Sequence, residues 1–526
     1  MVVSCTKLDE KELLYDTVIS DNFYKTDAEL ASAVGAAYSP LFGFGGSGSL
    51  LPINEVTTDE MVVPQRGADW GDGGHWVRLQ THTYNETDQI PNNSWNFCYS
   101  GISTCNKLLI ILANSTSANA PAYIAELKAL RAIYYYWLLD MFGNVPIVTD
   151  FSNPTPPAAS VRDAVYAFVE QELMASLAEL PEGGPQDGPL YGRVHKFVVQ
   201  AALAKLYLNA QVYTGDEQWD KCLAACDAII NSGKYALAPN YIDNFVRNNT
   251  GSPEFIWAVP YDAVKAGGFN MPMMTLSYLN QATYNINSQP WNGFATIQEF
   301  YQSYIDPVQN PGPQGPVVGV APDGAMTTGT LDKRLANFIV GPQFAANGAR
   351  LSDGGADATD PDGQPLTFTP YINQLFPNAW RQSGARIGKW QFYNGMTSNL
   401  DNDFAIFRFA DILLTKAEAT ARKANNWNDP VTLSLLNQVR TTHGGVTPFA
   451  TLTAPIFAAE RAREMFAETF KRQDMIRFGT YNSAWRFHPA DPADNLGPNG
   501  INHLNIFPIP ETQLNANPNL TQNPGY

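Results

Sequence analysis

Residues 126–146 read ELKALRAIYYYWLLDMFGNVP, and this stretch decides the fold class. A helix is predicted over Ala122–Phe142, stopped by Gly143 and then by Val145-Pro146. The run Tyr134-Tyr135-Tyr136-Trp137 puts aromatic rings on every face of that helix. A helix that is apolar all round is buried between others, so the segment points to a chain built from stacked helices.

Segments of the same kind lie on both sides. Ser160 with Asp163 reads as a capping box opening Val161–Leu180, where Val165, Phe168, Val169, Leu173, Leu177 and Leu180 mark one face. His195–Tyr213 and Gln218–Ser232 form a helix pair around Thr214-Gly215-Asp216, with Gly233 at the C-terminal cap. This pair has a tetratricopeptide character, carried by Ala204, Leu206 and Tyr207 and by Trp219 to Ala225. Asp411–Lys423 is helical. Asp429 and Pro430 open a helix ending at Gly444, and Phe457–Phe478 reads as one long helix with a Glu468–Arg472 pair four residues apart.

Between the helices run three Gly/Pro/Asn-rich stretches, about 57–93, 262–322 and 341–402. They are longer than ordinary connections. They hold Trp70, Trp76, Trp291, Trp380 and Trp390, too many large rings for disordered chain. The expectation is a mostly α fold, a helical-repeat scaffold beside a loop-rich, irregular second lobe.

The chain has 526 residues and a net charge of −17. Phosphate backbones need a basic footprint, so nucleic acid is excluded as a partner. No polybasic patch suits anionic lipid. The most apolar stretch, Ile102–Ala113, is too short to span a bilayer and is interrupted by Asn106 and Lys107. Cys222 and Cys226 lie four apart on a helix with no further ligand nearby, and they read, like Cys98 and Cys105, as buried packing. The fifth cysteine stands in Val2-Val3-Ser4-Cys5, which looks like the end of a lipobox and makes Cys5 a candidate for lipidation. A lipid chain would anchor the protein to a membrane without spanning it.

Several landmarks together resemble the SusD/RagB family. They are Tyr24–Tyr38; Trp95, Tyr99, Ile102 and Asn106; Leu130-Arg131-Ala132 with Phe142–Pro146; Gly192-Arg193 before Leu203–Leu208; Arg408–Leu414 with Ala417-Glu418-Ala419; Leu436–Arg440; Glu460–Glu464 with Arg472, Asp474 and Arg477; and the closing Phe507–Pro510 and Gln522–Tyr526. They occur in family order over nearly the whole chain. The resemblance implies about four tetratricopeptide-like helix pairs and a loop lobe carrying the ligand site. It implies a lipid-anchored protein on the outer-membrane surface of a Gram-negative bacterium of the Bacteroidota type. It also implies a SusC-like TonB-dependent transporter as partner and a glycan as cargo. Residues 1–20 would then be a tether and 21–526 a single domain. Its scaffold would lie mainly in 21–56, 94–260 and 403–480, and its ligand lobe in 57–93, 261–402 and 481–526.

The ligand site is expected where rings and polar groups converge. Sugars present C–H faces that stack on aromatic planes and hydroxyls that take hydrogen bonds from carboxylates and amides. Asp69–Trp76 supplies Trp70, Asp72, His75 and Trp76 within one Gly-rich loop. Tyr278, Tyr284, Trp291 and Asn292 lie in the second irregular stretch, and Trp380 and Arg381 in the third. Trp76 and Trp291 are expected to be removable without loss of stability. Arg386 and Lys389 look structural.

No cofactor is expected. Asp357, Asp360 and Asp362 suggest a calcium loop, but the alternation fails at Ala358 and no Glu follows at the required offset, so a polar turn is the better reading. Structural calcium elsewhere stays open. No HExxH, GxSxG or P-loop pattern appears among the residues. Glu460, Glu464 and Glu468 read as ion pairs with Arg461, Arg463 and Arg472, tying the helices to the lobe, rather than as acid–base machinery. The rival readings are a peptide-capturing relative and an all-α glycoside hydrolase, which needs only two carboxylates at the right separation.

Overall fold

The computed structural model describes residues 26–151, 155–185, 187–305, 332–354, 365–492 and 502–526, and the backbone of strands Gln314–Val320 and Met326–Thr330. Cys5 and the segment with Asp357, Asp360 and Asp362 lie outside the described residues. The architecture is mostly α-helical, with short two-stranded ladders.

Seven helices pack as successive neighbours. They are α1 (Gln89–Leu112), α2 (Ala120–Phe142), α3 (Arg162–Ser176), α4 (Lys196–Leu208), α5 (Trp219–Ile230), α6 (Phe409–Ala424) and α7 (Pro430–Val439). The aromatic run of α2 is buried as expected, with Tyr134, Tyr135 and Tyr136 shielded from solvent. Gly101 of α1 permits the close approach to α2, since a Cβ there would lie 2.3 Å from the Tyr134 ring. Arg131 of α2 ties three helices, donating to Asn106 Oδ1 of α1 at 2.6 Å and to Glu172 of α3 at 2.9 Å. β1 (Phe255–Val259) and β2 (Phe404–Arg408) pair antiparallel and lead the chain into α6.

Several helix boundaries differ from the expectation; α3 ends at Ser176 rather than Leu180, and α7 ends at Val439, followed by a π turn over Arg440–Gly444. α3 begins at Arg162, and its first turn is capped by Asn144, whose Oδ1 accepts from the Arg162 N–H at 2.8 Å; Ser160 instead bridges to Val145. The 195–213 helix is two pieces, divided at Asn209 into Lys196–Leu208 and Ala210–Thr214. The expected helix 457–478 is α8 (Ala454–Met465) and α9 (Lys471–Arg477), broken where Ala467 and Thr469 take left-handed φ of 60° and 69°. Buried carboxylates stabilise that break. Glu60 accepts from the Ala467 N–H and Glu55 from the Thr469 N–H, both at 2.5 Å.

That break rearranges the expected ion pairs. Glu468 sits in it and meets Arg408 at 2.7 Å and Lys389 at 2.6 Å rather than Arg472, which pairs with Asp140 at 2.8 Å. Glu460 holds Arg334, Arg440 and Arg463 at 2.7–2.8 Å. Glu464 meets Arg408 and His443 at 2.7 Å and Arg334 at 3.2 Å, while Arg461 turns to Asp411 and Asp474. Arg334 and Lys389 come from the loop-rich part, so this buried layer ties it to the helices.

The layer has a pH signature. Burial opposes charging of His443, but Glu464 and Glu254 outweigh it and hold the imidazole up at about 9. Its stabilisation is therefore complete below pH 6.5 and lost as pH rises through 9. Burial also works against the Glu460 carboxylate, yet Arg334, Arg463 and Arg440 hold it down at about 2, so its contribution is complete above pH 4.5 and lost as pH falls through 2. Urea unfolding of the native chain and His443→Gln, compared at each pH, should show a stability difference that shrinks between pH 6.5 and 9. A constant difference would mean that His443 is neutral in the folded protein.

Candidate functional site

The irregular segments meet at an open cleft of about 370 Å³ lined by Asp69, Trp70, Asp72, Tyr278, Gln289, Pro290 and Trp291. Two separate segments build its floor. Residues 291–294 are clamped to the short helix Met271–Thr275: the Trp291 N–H donates to Met273 O at 2.7 Å, and those of Gly293 and Phe294 donate to Met274 O at 2.8 Å. Residues 66–74 turn sharply through positive φ at Gly67, Trp70, Asp72, Gly73 and Gly74. Glycine suits such positions because it lacks the Cβ that would clash there.

The two segments lock through Trp70. Its indole N–H donates to Trp291 O at 2.6 Å, and its ring meets Trp76, Phe294 and Trp291 at centroid distances of 5.4, 5.5 and 6.3 Å. Gly293 is required beside it, since a Cβ would lie 2.2 Å from the indole. Arg66 fastens the same junction from below, donating to Gly293 O at 3.0 Å and Ser383 O at 2.8 Å. Trp291 presents an indole that is 39% exposed, while Trp70 is half-buried.

Polar groups rim the rings. Asp69, Asp72 and Gln289 are exposed. The Tyr278 hydroxyl donates to Asp69, and burial, reinforced by that carboxylate, pushes the phenol up to about 12, so it acts as a neutral donor. The cleft thus combines the exposed Trp291 indole with carboxylate and amide acceptors and donors at its edge. That pairing suits a ligand with both C–H faces and hydroxyl groups.

Of the residues expected from the sequence, Trp70, Asp72 and Trp291 line this cleft. Trp76 is 4% exposed and belongs to the core, on the helix His75–Gln80 rather than in a loop; its N–H donates to Asp72 Oδ2 at 2.7 Å. The expectation that Trp76 can be removed without loss of stability is therefore corrected. His75 is also buried, and its Nδ1 lies 2.8 Å from Asp72 O, an acceptor, so Nδ1 carries the proton. Asn292 is fully buried: its amide donates to Arg381 O at 3.1 Å and accepts from Arg386 at 2.8 Å. It shapes the turn and does not face the ligand side.

Arg381 stacks on the Tyr278 ring at 4.6 Å and pairs with Asp353 at 2.9 Å, so it backs the cleft. Tyr284 packs edge-on against Phe392 at 5.8 Å, and Trp380 lies beside Tyr371 at 6.0 Å; neither lines the cleft. Asp69 and Tyr278, both in stretches the sequence singles out, also line the cleft, as does Pro290 beside Trp291; Gln289 carries no signal of its own.

Comparison with known proteins agrees with this architecture. Residues 253–526 match the SusD family, and residues 54–208 match a family described as starch-binding and associating with the outer membrane. The starch-binding protein SusD of Bacteroides thetaiotaomicron is 26% identical over 500 residues, covering 90% of this chain and 84% of that protein. Surface glycan-binding protein A of the same organism, solved with laminarihexaose, superposes with a TM-score of 0.71 at 22% identity, covering 94% of this chain and 99% of that one. A laminarin-binding SusD-like protein superposes with a TM-score of 0.69 at 22% identity over 96% of this chain and all of the other. With its family match extending over more than half of its length, the chain belongs to the SusD family.

Proposed function

We propose that this protein binds a polysaccharide or oligosaccharide at the cleft of Trp70, Tyr278 and Trp291, and that it is a binding protein rather than an enzyme. The observation that carries the reading is the Trp291 indole, exposed on a rigid backbone and rimmed by Asp69, Asp72 and Gln289. The relatives whose names state an activity bind starch, laminarin or surface glycan. The family resemblance extends the proposal to a lipid anchor at Cys5, an outer-membrane location, and delivery of the glycan to a SusC-like TonB-dependent transporter. The match to a family described as associating with the outer membrane supports that location.

Affinity gels and calorimetry with starch, laminarin, xylan, mannan and pectin test the reading. One class should bind, with no products released. Trp291→Ala should weaken that binding about tenfold or more, since covering one indole face contributes roughly 2 kcal/mol. Its unfolding free energy should move by less than about 0.5 kcal/mol, because the backbone bonds of residue 291 survive the substitution. Equal glycan binding by the native and Trp291→Ala proteins would remove the cleft from the proposal. Bound peptide in purified protein would favour a peptide cargo instead.

A further inference from the structure

We propose that His82, His488 and Asp491 form a binding site for a divalent transition-metal ion of the zinc class, separate from the cleft. The three side chains come from segments more than 400 residues apart in sequence, and one ligand atom from each lies within 4.8 Å of the others. His82 and His488 are fully buried, and the Asp491 side chain is nearly so.

Hydrogen-bond geometry assigns the ligand atoms. His82 Nε2 lies 2.9 Å from Thr57 O, and Nδ1 lies 2.7 Å from Asp491 Oδ2. Both neighbours are acceptors, but a neutral imidazole has one proton. A carbonyl accepts the Nε2 proton, which leaves the Nδ1 lone pair aimed at a carboxylate. Either a second ring proton or a cation ligated by both Nδ1 and Asp491 resolves that opposition. An imidazole that ligates through one nitrogen while its other N–H donates to a backbone carbonyl is the usual support of a metal-bound histidine.

His488 supplies independent support. It is buried, yet its ring nitrogens have no close hydrogen-bond partner, only the long contact of Nε2 with Asp491 Oδ1 at 3.5 Å. Buried polar atoms are ordinarily paired. The ring is held in place without those nitrogens, packed at a tilt against Trp485 at 4.0 Å and against His82 at 4.2 Å. Reciprocal backbone bonds between Trp485 and His488, both 2.9 Å, close the turn that carries it, and the Asp491 N–H donates to Asn482 O at 3.0 Å. His82 itself is fixed in a left-handed conformation, φ 51°.

Two imidazoles and one carboxylate favour Zn²⁺, Co²⁺ or Ni²⁺ over Ca²⁺ or Mg²⁺, which prefer oxygen alone. Tetrahedral ligation with zinc–nitrogen bonds of about 2.0–2.1 Å separates ligand atoms by roughly 3.3 Å. The 2.7 Å contact of His82 with Asp491 Oδ2 would open by about 0.6 Å, and the 3.5 Å contact of His488 with the other oxygen, Oδ1, is close to that separation. Water would complete the shell. The bound ion would clamp the segment 481–491 onto residues 57–84.

The test uses the full chain without a histidine tag, dialysed against Zn²⁺ and Co²⁺. One equivalent of Zn²⁺ per chain is expected, with a Tm that rises with the logarithm of free Zn²⁺ above Kd. The Co²⁺ form should show the visible absorption of a four-coordinate nitrogen-ligated site. His488→Ala is the decisive variant, because its ring nitrogens hold nothing else; it should stay folded by circular dichroism while losing the stoichiometric ion and the Co²⁺ spectrum. Asp491→Asn should weaken the same binding and leave glycan retention unchanged. Failure of the native chain to take up either ion, or equal uptake by folded His488→Ala, would overturn the proposal and leave the cluster as a His–Asp ion pair.

Discussion

Arg408→Ala is expected to lose about 3–5 kcal/mol of stability, enough to abolish most soluble expression. The guanidinium is fully buried at the end of β2. It reaches Glu464 and Glu468 at 2.7 Å, Glu254 at 3.3 Å and the Glu464 carbonyl at 2.7 Å. Desolvating so many charges is costly, and the arrangement is tolerable only while they compensate one another. Truncation leaves Glu468 with Lys389 alone, and Glu464 and Glu254 sharing His443 with help from Arg334. Arg408→Lys should recover little, because a single ammonium cannot span three carboxylates and a carbonyl as the planar fork does. Urea midpoints read the effect. A loss below about 1 kcal/mol would show that water enters this layer and screens it.

Trp76→Ala should cost about 3–5 kcal/mol by cavity formation. Its indole fills the space between Trp70 and Phe294, at 5.4 and 5.3 Å, and its N–H bonds Asp72 at 2.7 Å. The substitution removes both the packing beneath Trp70 and the partner that orients Asp72, so glycan retention should fall together with stability. Trp291→Ala should separate the two properties, lowering retention alone. Calorimetry and urea unfolding on both variants decide the matter. A Trp76→Ala protein as stable as the native chain would show that the ring is not core.

The contrast between these two tryptophans marks the reach of sequence reading. Both stand in glycine-rich stretches with polar neighbours, and residue type alone does not separate them. Trp76 falls on a short helix whose inner face packs on Phe294, a residue more than 200 positions away. Trp291 follows a backbone clamp to Met273 that turns its ring outward. Asn292 shows the same limit, since a turn-forming residue beside an exposed ring is here consumed by Arg381 and Arg386.

The sequence by itself determined the long helices of the scaffold, because periodicity, caps and breakers act within a few residues. The aromatic face-filling run of α2, the Asp429–Pro430 start of α7 and the glycine after α2 all act at that range. Its family landmarks also placed the chain among the SusD proteins. Only the tertiary structure decided which carboxylate meets which arginine, where 454–478 breaks, and which rings face solvent. It alone brought His82 to His488 and Asp491. Those outcomes depend on contacts between segments hundreds of residues apart, where burial and desolvation select one pairing among many that residue type alone allows.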